Sequence, residues 1–288
     1  MGEGMAKRIT RKFEAFVMHA HSEVSISYAG IFQRLMELPG SERVVRAAED
    51  LVLGFPIVER VGSRYFFQVV EGDDSSPLVL NTETGRTREN VLEEDEVLSH
   101  ATHVVVDPVK RRAAIEYVHR GAKSGLIGFG IETLLKDRFD DLRDFRFEMM
   151  PVIRANFIAE INAFERIRTA MLRVTRPNAS WSDHYTDLAD FMEESKGDKV
   201  EVGIRAGRGG SLSKTKGIVG VIKQVVGDSQ PYLDDAAVTG ERPNEETETT
   251  IHARKHVQHA RVGVVADDAG VPEKEDIKAK LLRFIGVL

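Results

Sequence analysis

The order of strand-like and helix-like segments is the feature that most constrains how this chain folds. Strand-like stretches follow one another directly at 55–62, 63–73 and 76–85, with turn residues between them instead of helices. A parallel sheet needs regular alternation of strand and helix, and this pattern lacks it. We therefore predict an α+β fold of mixed antiparallel sheets with flanking helices, in two α+β lobes at residues 1–124 and 125–288.

Local patterns place the other elements along the chain. Helical spacing of apolar residues predicts helices at 28–38, 88–100, 126–145, 182–195, 218–226 and 275–288. Further strands are predicted at 12–27, 102–121, 146–154, 164–178, 199–207 and 247–265, with a polar connection between 154 and 164. Within 102–121, the turn pair Asp107-Pro108 joins two strands.

The chain has 288 residues and no cysteine. The lack of cysteine excludes disulfides, thiolate zinc sites, iron–sulfur clusters and a cysteine nucleophile, and it fits a reducing compartment. Neither a secretory leader nor an apolar run of about 18 residues is present. We therefore expect a soluble, cytoplasmic protein.

Charge is segregated along the chain, so the formal net charge of −6 is a poor guide to what it binds. The acidic segment, residues 227–250, carries seven acidic residues and one arginine. Residues 205–226 carry five basic residues and no acid. A net-negative molecule of this kind is therefore able to present a basic surface to a polyanion.

A glycine-rich stretch at 207–217 lies between a predicted strand and a predicted helix, as phosphate-binding loops do. Leu212 occupies the position of the second glycine of a Walker loop and also breaks a dinucleotide-binding fingerprint, which excludes both motifs. What remains is a flexible basic loop entering a helix N-terminus, where free N–H groups favour an anion. We predict that this basic loop, residues 205–216, contacts DNA phosphates, with a solvated connector as the alternative. Its cations are Arg205, Arg208, Lys214 and Lys216.

A second group of cations, Lys110, Arg111 and Arg112, follows the predicted Asp-Pro turn and is the other predicted contributor to a DNA-binding surface. If five cations met phosphates, log affinity would fall with log salt concentration at a slope of about −4.5. Other basic residues that belong either to the same groove or to solvated faces stand within 7–12 and at Arg166, Arg168, Arg173 and Arg176.

The acidic segment has two interpretations. It either covers the basic loop by charge complementarity until activation, or it is a solvated, disordered acidic loop. Deletion of residues 240–248 would raise DNA affinity only in the first case. The second interpretation is the more common one for a run of acidic residues.

No arrangement of residues typical of catalysis or metal binding stands out. Two pairs of histidines are spaced to share a strand face, but a metal site needs three or four ligands. The acidic residues after Ser182 suit the first turn of a helix that this serine caps. We therefore expect no catalytic residues, no metal ion and no cofactor.

The order and spacing of segments between Ser63 and Pro177 resemble those of the RexA proteins of lambdoid prophages, the soluble half of the RexA–RexB phage-exclusion system. The resemblance covers SRYFFQVVEGD, VVVDPVKRRAAIEYVHRG, the helix after Gly128-Phe129-Gly130, FRFEMMPVIR and FERIRTAMLRVTRP. A more distant similarity is to the recombination-associated protein RdgC, an α+β dimer that encircles DNA. The resemblance implies a non-enzymatic, dimeric DNA-binding protein that senses a phage-derived complex and activates a membrane partner. It assigns no role to individual residues.

We expect a cytoplasmic homodimer that binds duplex DNA through backbone phosphates. Cations are present without a recognition helix or an aromatic array to read bases, so little sequence preference is expected. The implied role is that of the DNA-binding sensor in a prophage-encoded phage-exclusion system with a RexB-like membrane partner. Two other classes stay open: an interaction or structural protein that uses the apolar face of the closing helix, and a metal-dependent nuclease.

Overall fold

The computed structural model describes residues 7–73, 78–80, 87–89, 98–175, 199–227, 233–243, 247–268 and 270–288. Within these ranges the chain forms one eight-stranded and one four-stranded antiparallel sheet, a two-stranded ribbon and five α-helices. The predicted α+β class is therefore confirmed. No helix among these residues is both long and apolar enough to cross a membrane.

The strands are, in chain order, β1 (Lys7–His21), β2 (Val44–Ala48), β3 (Leu51–Val61), β4 (Arg64–Asp73), β5 (Leu78–Leu80), β6 (Thr87–Glu89), β7 (Leu98–Asp107), β8 (Arg112–Tyr117), β9 (Arg146–Pro151), β10 (Arg166–Thr175), β11 (Lys199–Arg205), β12 (Leu233–Glu241), β13 (Glu248–His252) and β14 (His259–Ala266). The helices are α1 (Tyr28–Glu37), α2 (Ser124–Arg138), α3 (Ala155–Ala163), α4 (Gly217–Gly227) and α5 (Lys274–Gly286). Short 3₁₀ turns occur at Gly40–Glu42, Asp140–Leu142 and Ala253–His256.

Contacts within the chain define two compact units, the first formed by Met1–Glu14, Ala20–Met149 and Ala260–Leu288, the second by Ala15–His19 and Met150–His259. The sequence-based boundary between residues 124 and 125 stays a prediction.

The eight-stranded sheet has the order β14-β1-β8-β7-β4-β3-β2, and β9 pairs with β1 outside this path. The β3–β4 hairpin turns at Gly62, whose φ of 63° is the left-handed conformation that such tight turns require. Helix α1 begins after Ser27, whose Oγ accepts the Gly30 N–H at 3.0 Å as an N-cap. These local signals explain why the sequence pattern located this part of the fold.

An aromatic core holds the first unit together. Phe32 of α1 packs against Phe67 of β4 and Phe147 of β9, with ring centroids about 6 Å apart. The last helix, α5, also belongs to this core, because its Ile277, Leu281 and Ile285 are fully buried. The apolar face of the closing helix therefore packs within its own unit.

The four-stranded sheet of the second unit has the order β11-β10-β12-β13. Helices α3 and α4 contribute to one apolar cluster with the inner residues of these strands. Strand β12 is buried throughout its middle, from Asp235 to Val238, and Ala236 and Val238 are fully buried in this cluster. Strand β11 forms one edge of this sheet and leads directly into the basic loop.

The structure differs from the predictions at several places. The polar connection expected between 154 and 164 is helix α3, whose Phe157 and Ile161 are both buried, one turn apart. Most of the described acidic segment belongs to strands β12 and β13 and is not a loop. The helix expected at 126–145 ends at Arg138. The helix expected at 88–100 is wrong at its described ends, which belong to strands β6 and β7, and its residues 90–97 lie outside the described residues. The helix expected at 182–195 also lies outside them.

Candidate nucleic-acid interface

The basic loop lies against the beginning of strand β10. The Ala206 N–H donates to the Arg168 carbonyl, and the Leu212 N–H donates to the Ile167 carbonyl, both at 2.8 Å. Ser211 Oγ accepts the Ile167 N–H at 2.9 Å. The loop is therefore anchored to strand β10 by its backbone at two points.

Between these anchors the loop makes a tight glycine turn. Gly209 has a φ of 74°, and the Gly210 N–H donates to the Gly207 carbonyl at 2.9 Å. Two arginines of β10 bind the carbonyls of this turn: Arg166 donates to Gly209, and Arg168 donates to Gly210 at 2.6 Å. The turn thereby brings Arg166 and Arg168, which the sequence placed in a separate basic group, next to the loop.

The last residues of the loop form the entrance to helix α4. Ser213 Oγ accepts the N–H of Thr215 at 3.3 Å and that of Lys216 at 3.1 Å. Lys223 of α4 donates to the Lys214 carbonyl at 2.7 Å. Burial and the nearby positive charge of Lys214 both lower the pKa of the Lys223 ammonium. Like charges are thus crowded here, and a bound anion would relieve their repulsion.

The four predicted cations of the loop have no acidic partner among the residues that the structure describes. Arg205, Arg208 and Lys216 are exposed and Lys214 is partly exposed. No carboxylate within the described ranges lies within 4.0 Å of any of their charged groups. Lys214 makes only a 3.4 Å contact with the Asn162 carbonyl. Their charge is therefore available to a ligand.

Other cations of the second unit do have carboxylate partners. Arg173 is 2.5 Å from Glu201, and Lys199 is 3.3 Å from Asp234. Arg242 and Arg254 pair in the same way with Glu160 and Asp235, at 2.5 and 3.4 Å. Arg176 lies outside the described residues. Unlike these four cations, the four of the loop have no carboxylate partner among the described residues.

Two described acids of the acidic segment, Glu241 and Glu248, contact the arginines Arg166 and Arg168 of strand β10. Glu241 lies 3.6 Å from Arg166 and 3.7 Å from Arg168, and Glu248 lies 3.5 Å from Arg168. Cross-strand pairing of β12 with β10 and β13 brings these acids to this end of the sheet. Local sequence patterns gave no sign of this arrangement, because the partners are more than 70 residues apart and only the strand register joins them.

Of the second predicted group, Lys110 and Arg111 lie in the turn between β7 and β8 of the first unit, and Arg112 begins β8. Asp107 shapes this turn, since its carboxylate accepts the Lys110 N–H at 3.0 Å and the Arg64 Nε–H at 2.9 Å. Burial raises the pKa of Asp107, but these hydrogen bonds and the Arg64 charge outweigh it and hold the pKa below its ordinary value. The turn is therefore built around an ionised carboxylate.

The three cations of this group differ in accessibility. Lys110 and Arg111 are exposed, while Arg112 is half-buried, and burial lowers the pKa of its guanidinium. Arg111 has a φ of 54° and lies over the Tyr28 ring, 5.2 Å from its centroid. This group belongs to the first unit and the basic loop to the second, so we treat them as separate candidate contacts.

A cluster of titratable side chains also lies inside the eight-stranded sheet. His103 and Glu116 are 3% and 1% exposed, and His103 Nδ1 lies 2.7 Å from Glu116 Oε2. Arg11 Nε is 3.1 Å from the other oxygen of Glu116, and Gln68 Nε2 is 3.2 Å from His103 Nε2. Because these groups pair with one another, the cluster is accounted for as part of the folded interior. Within the described residues no group of three or more histidines and acids is arranged to hold a metal ion.

A scan against protein-family models and a search of curated proteins both return no match for this chain. The resemblance to the RexA proteins therefore stays a prediction, and the loop geometry is the basis for assigning a function.

Proposed function

We propose that this protein binds duplex DNA through backbone phosphates at the basic loop. The observation that carries the proposal is the set of four cations on an anchored loop, all without a carboxylate partner among the described residues. Arginine and lysine side chains on an ordered backbone are the usual contacts of a protein with phosphate oxygens. The group Lys110, Arg111 and Arg112 is proposed as an additional contact.

The proposed binding is weakly dependent on base sequence. Loops and strands carry the candidate contacts, and Arg205, Arg208, Lys214 and Lys216 are cations without an aromatic side chain between them that stacks on bases. A phosphate-only interface releases counterions and reads no base edges. Affinity is therefore expected to follow ionic strength more closely than DNA sequence.

The wider role that we propose rests on the resemblance of residues 63–177 alone. In this role the protein is a cytoplasmic homodimer, without catalytic activity or cofactor, that acts as the DNA-binding sensor of a prophage-encoded phage-exclusion system. On binding its signal it would activate a RexB-like membrane protein. A neighbouring gene for a small protein with several membrane spans would support this role.

The test of DNA binding is fluorescence anisotropy with a random-sequence duplex at 50 and 200 mM salt. Changing Arg205, Arg208, Lys214 and Lys216 together to Gln should weaken binding more than tenfold. The slope of log affinity against log salt should become shallower by up to about 3.6, because each lost phosphate contact contributes about 0.9.

A matched control removes the same charge elsewhere in the second unit. The variant K199Q/R173Q/R242Q/R254Q changes four cations that already have carboxylate partners, so its affinity should fall much less. Equal losses in the two variants would show that net charge, and not the loop, governs binding. Cleavage of the duplex on addition of magnesium would instead support the nuclease class.

A further inference from the structure

Two arginines beside the basic loop are shared between the loop and two acids. Arg166 and Arg168 donate to the carbonyls of Gly209 and Gly210, and the same guanidinium groups lie 3.5–3.7 Å from Glu241 and Glu248. These distances are longer than a well-formed charge-assisted hydrogen bond. The carboxylates thus form ion pairs with the arginines, but these pairs lack short hydrogen bonds.

The two acids face each other across neighbouring strands. The register of β12 and β13 places Glu241 directly opposite Glu248, and that of β10 and β12 places Arg166 opposite Glu241. Like charges opposite one another repel, so this end of the sheet needs the arginines as counterions when no ligand is bound. The same arginines also donate to carbonyls of the glycine turn in the basic loop.

All four side chains remain accessible to a ligand. Their exposed fractions are 40% for Arg166, 23% for Arg168, 31% for Glu241 and 50% for Glu248. Ion pairs at this level of exposure are weak, so a phosphate is able to replace the carboxylates at small cost. Arginine also presents a planar fork that fits phosphate oxygens better than a single point charge does.

We propose that Arg166 and Arg168 form a second phosphate-binding site continuous with the basic loop, which Glu241 and Glu248 occupy in the absence of DNA. The ligand is a backbone phosphate of the same duplex, so this inference rests on the proposed function. The acids compete with DNA for the two arginines and thereby set its affinity. In this proposal Glu241 and Glu248 compete with DNA for two arginines, whereas the hypothesis from the sequence has the whole acidic segment cover the basic loop.

The experiment compares two variants of equal charge in the full chain. E241Q/E248Q frees the two arginines next to the loop, whereas E201Q/D234N frees Arg173 and Lys199 at the other end of the same strands. We expect the first variant to bind a random-sequence duplex at least about fivefold more tightly than the second, with a salt slope steeper by up to about 1.8. Adding R166Q/R168Q to the first variant should remove the gain.

The outcomes separate this inference from the proposed function. Suppose that wild type binds DNA and the loop variant does not. Equal DNA affinities of E241Q/E248Q and E201Q/D234N would then overturn the proposed competition between the two acids and DNA, but not DNA binding by the basic loop. The same conclusion follows if R166Q/R168Q leaves the gain intact. If neither wild type nor E241Q/E248Q binds DNA at 50 mM salt better than the loop variant, the proposed function itself fails. Thermal unfolding curves establish that each variant is folded.

Discussion

A single carboxylate, Glu132, joins helix α2 to strand β9. Its Oε1 accepts hydrogen bonds from Lys136 at 2.6 Å and Arg146 at 2.8 Å, and its Oε2 accepts the Phe147 N–H at 2.9 Å. Burial raises the pKa of Glu132, but these hydrogen bonds outweigh burial and lower the pKa below its ordinary value of 4.5. The folded state therefore favours the ionised carboxylate.

Changing Glu132 to Gln should lower the free energy of unfolding at pH 7 by about 1–2 kcal/mol, because two charge-assisted hydrogen bonds lose their negative partner. A pKa lowered by folding gives stability that is complete above the unfolded value and is lost as pH falls through the folded value. The difference between wild type and variant should therefore shrink as pH falls below 4.5. Urea unfolding at pH 7, 5 and 3 measures both effects.

Glu42 provides the control for this prediction. Glu42 lies in the 3₁₀ turn Gly40–Glu42, 3.8 Å from Arg138 of helix α2, and both side chains are more than 40% exposed. An exposed pair of this kind contributes little, so Glu42→Gln should change stability by less than about 0.5 kcal/mol at any of the three pH values. Equal effects of the two substitutions would show that the contacts of Glu132 are not what stabilises α2.

At the residue scale the sequence predicted which cations lack nearby acids, but not which acids reach distant cations. Arg205 and Arg208 stand in an acid-free run, and within the described ranges the structure leaves both without a carboxylate partner. The contact between Arg168 and Glu248 depends on the pairing of three strands, which local composition does not encode. Local sequence patterns therefore identify candidate binding cations, but the register of the paired strands determines which acids lie next to them.

At the element scale, helix α2 packs closely on strand β3 through Gly130. A Cβ at this position would overlap Leu53 Cδ2 and lie 3.0 Å from Phe55 Cε2. Gly130→Ala should therefore destabilise the protein by about 1–3 kcal/mol, although alanine favours helix formation. Thermal or urea unfolding of the single variant measures this cost.

Gly125 of the same helix offers the opposite case, because a Cβ added there would meet no atom within 4 Å. Gly125→Ala should leave stability unchanged or raise it by about 0.5 kcal/mol, through helix propensity alone. If both alanine variants behaved alike, close packing of α2 on β3 would not be the reason for glycine at position 130.

Elements with a turn signal or a longer run of helical spacing were predicted, and a short helix and a charged strand were missed. The β3–β4 hairpin was predicted from the turn residue Gly62, and helix α1 from the helical spacing of Ile31, Leu35 and Leu38. Helix α3 was missed although Phe157, Ile158 and Ile161 stand at helical spacing, because the short segment was interpreted as a connection between two strands. Strand β12 carries acids at Asp234, Asp235 and Glu241, and this charge masks its buried apolar stretch.

At the scale of the whole molecule, the first unit depends on residues from both ends of the described chain. Strand β14 pairs with β1, and the ring of Phe284 on helix α5 lies 6.1 Å from that of Phe13 on β1. Deleting residues 274–288 should therefore remove hydrogen-exchange protection from β7 and β8, because α5 packs on these strands and its buried side chains would be lost.

The second unit gives the internal reference for that measurement. Its strands β10 and β12 and helix α4 form their own apolar cluster, so their amides should keep most of their protection in the truncated protein. Equal loss of protection in both units would show that they unfold together and that α5 supports more than its own sheet.

The pairing of β14 with β1 also has a consequence for biosynthesis. A ribosome releases the amino-terminal strand long before it makes residues 260–288, so that edge of the eight-stranded sheet waits without its neighbour while residues 150–259 are produced. The second unit is able to complete its core during this interval, and the first becomes complete only after residues 260–288 have been made. An open strand edge in the nascent polypeptide is a template for misassembly, which makes this interval the one in which the protein most needs a chaperone.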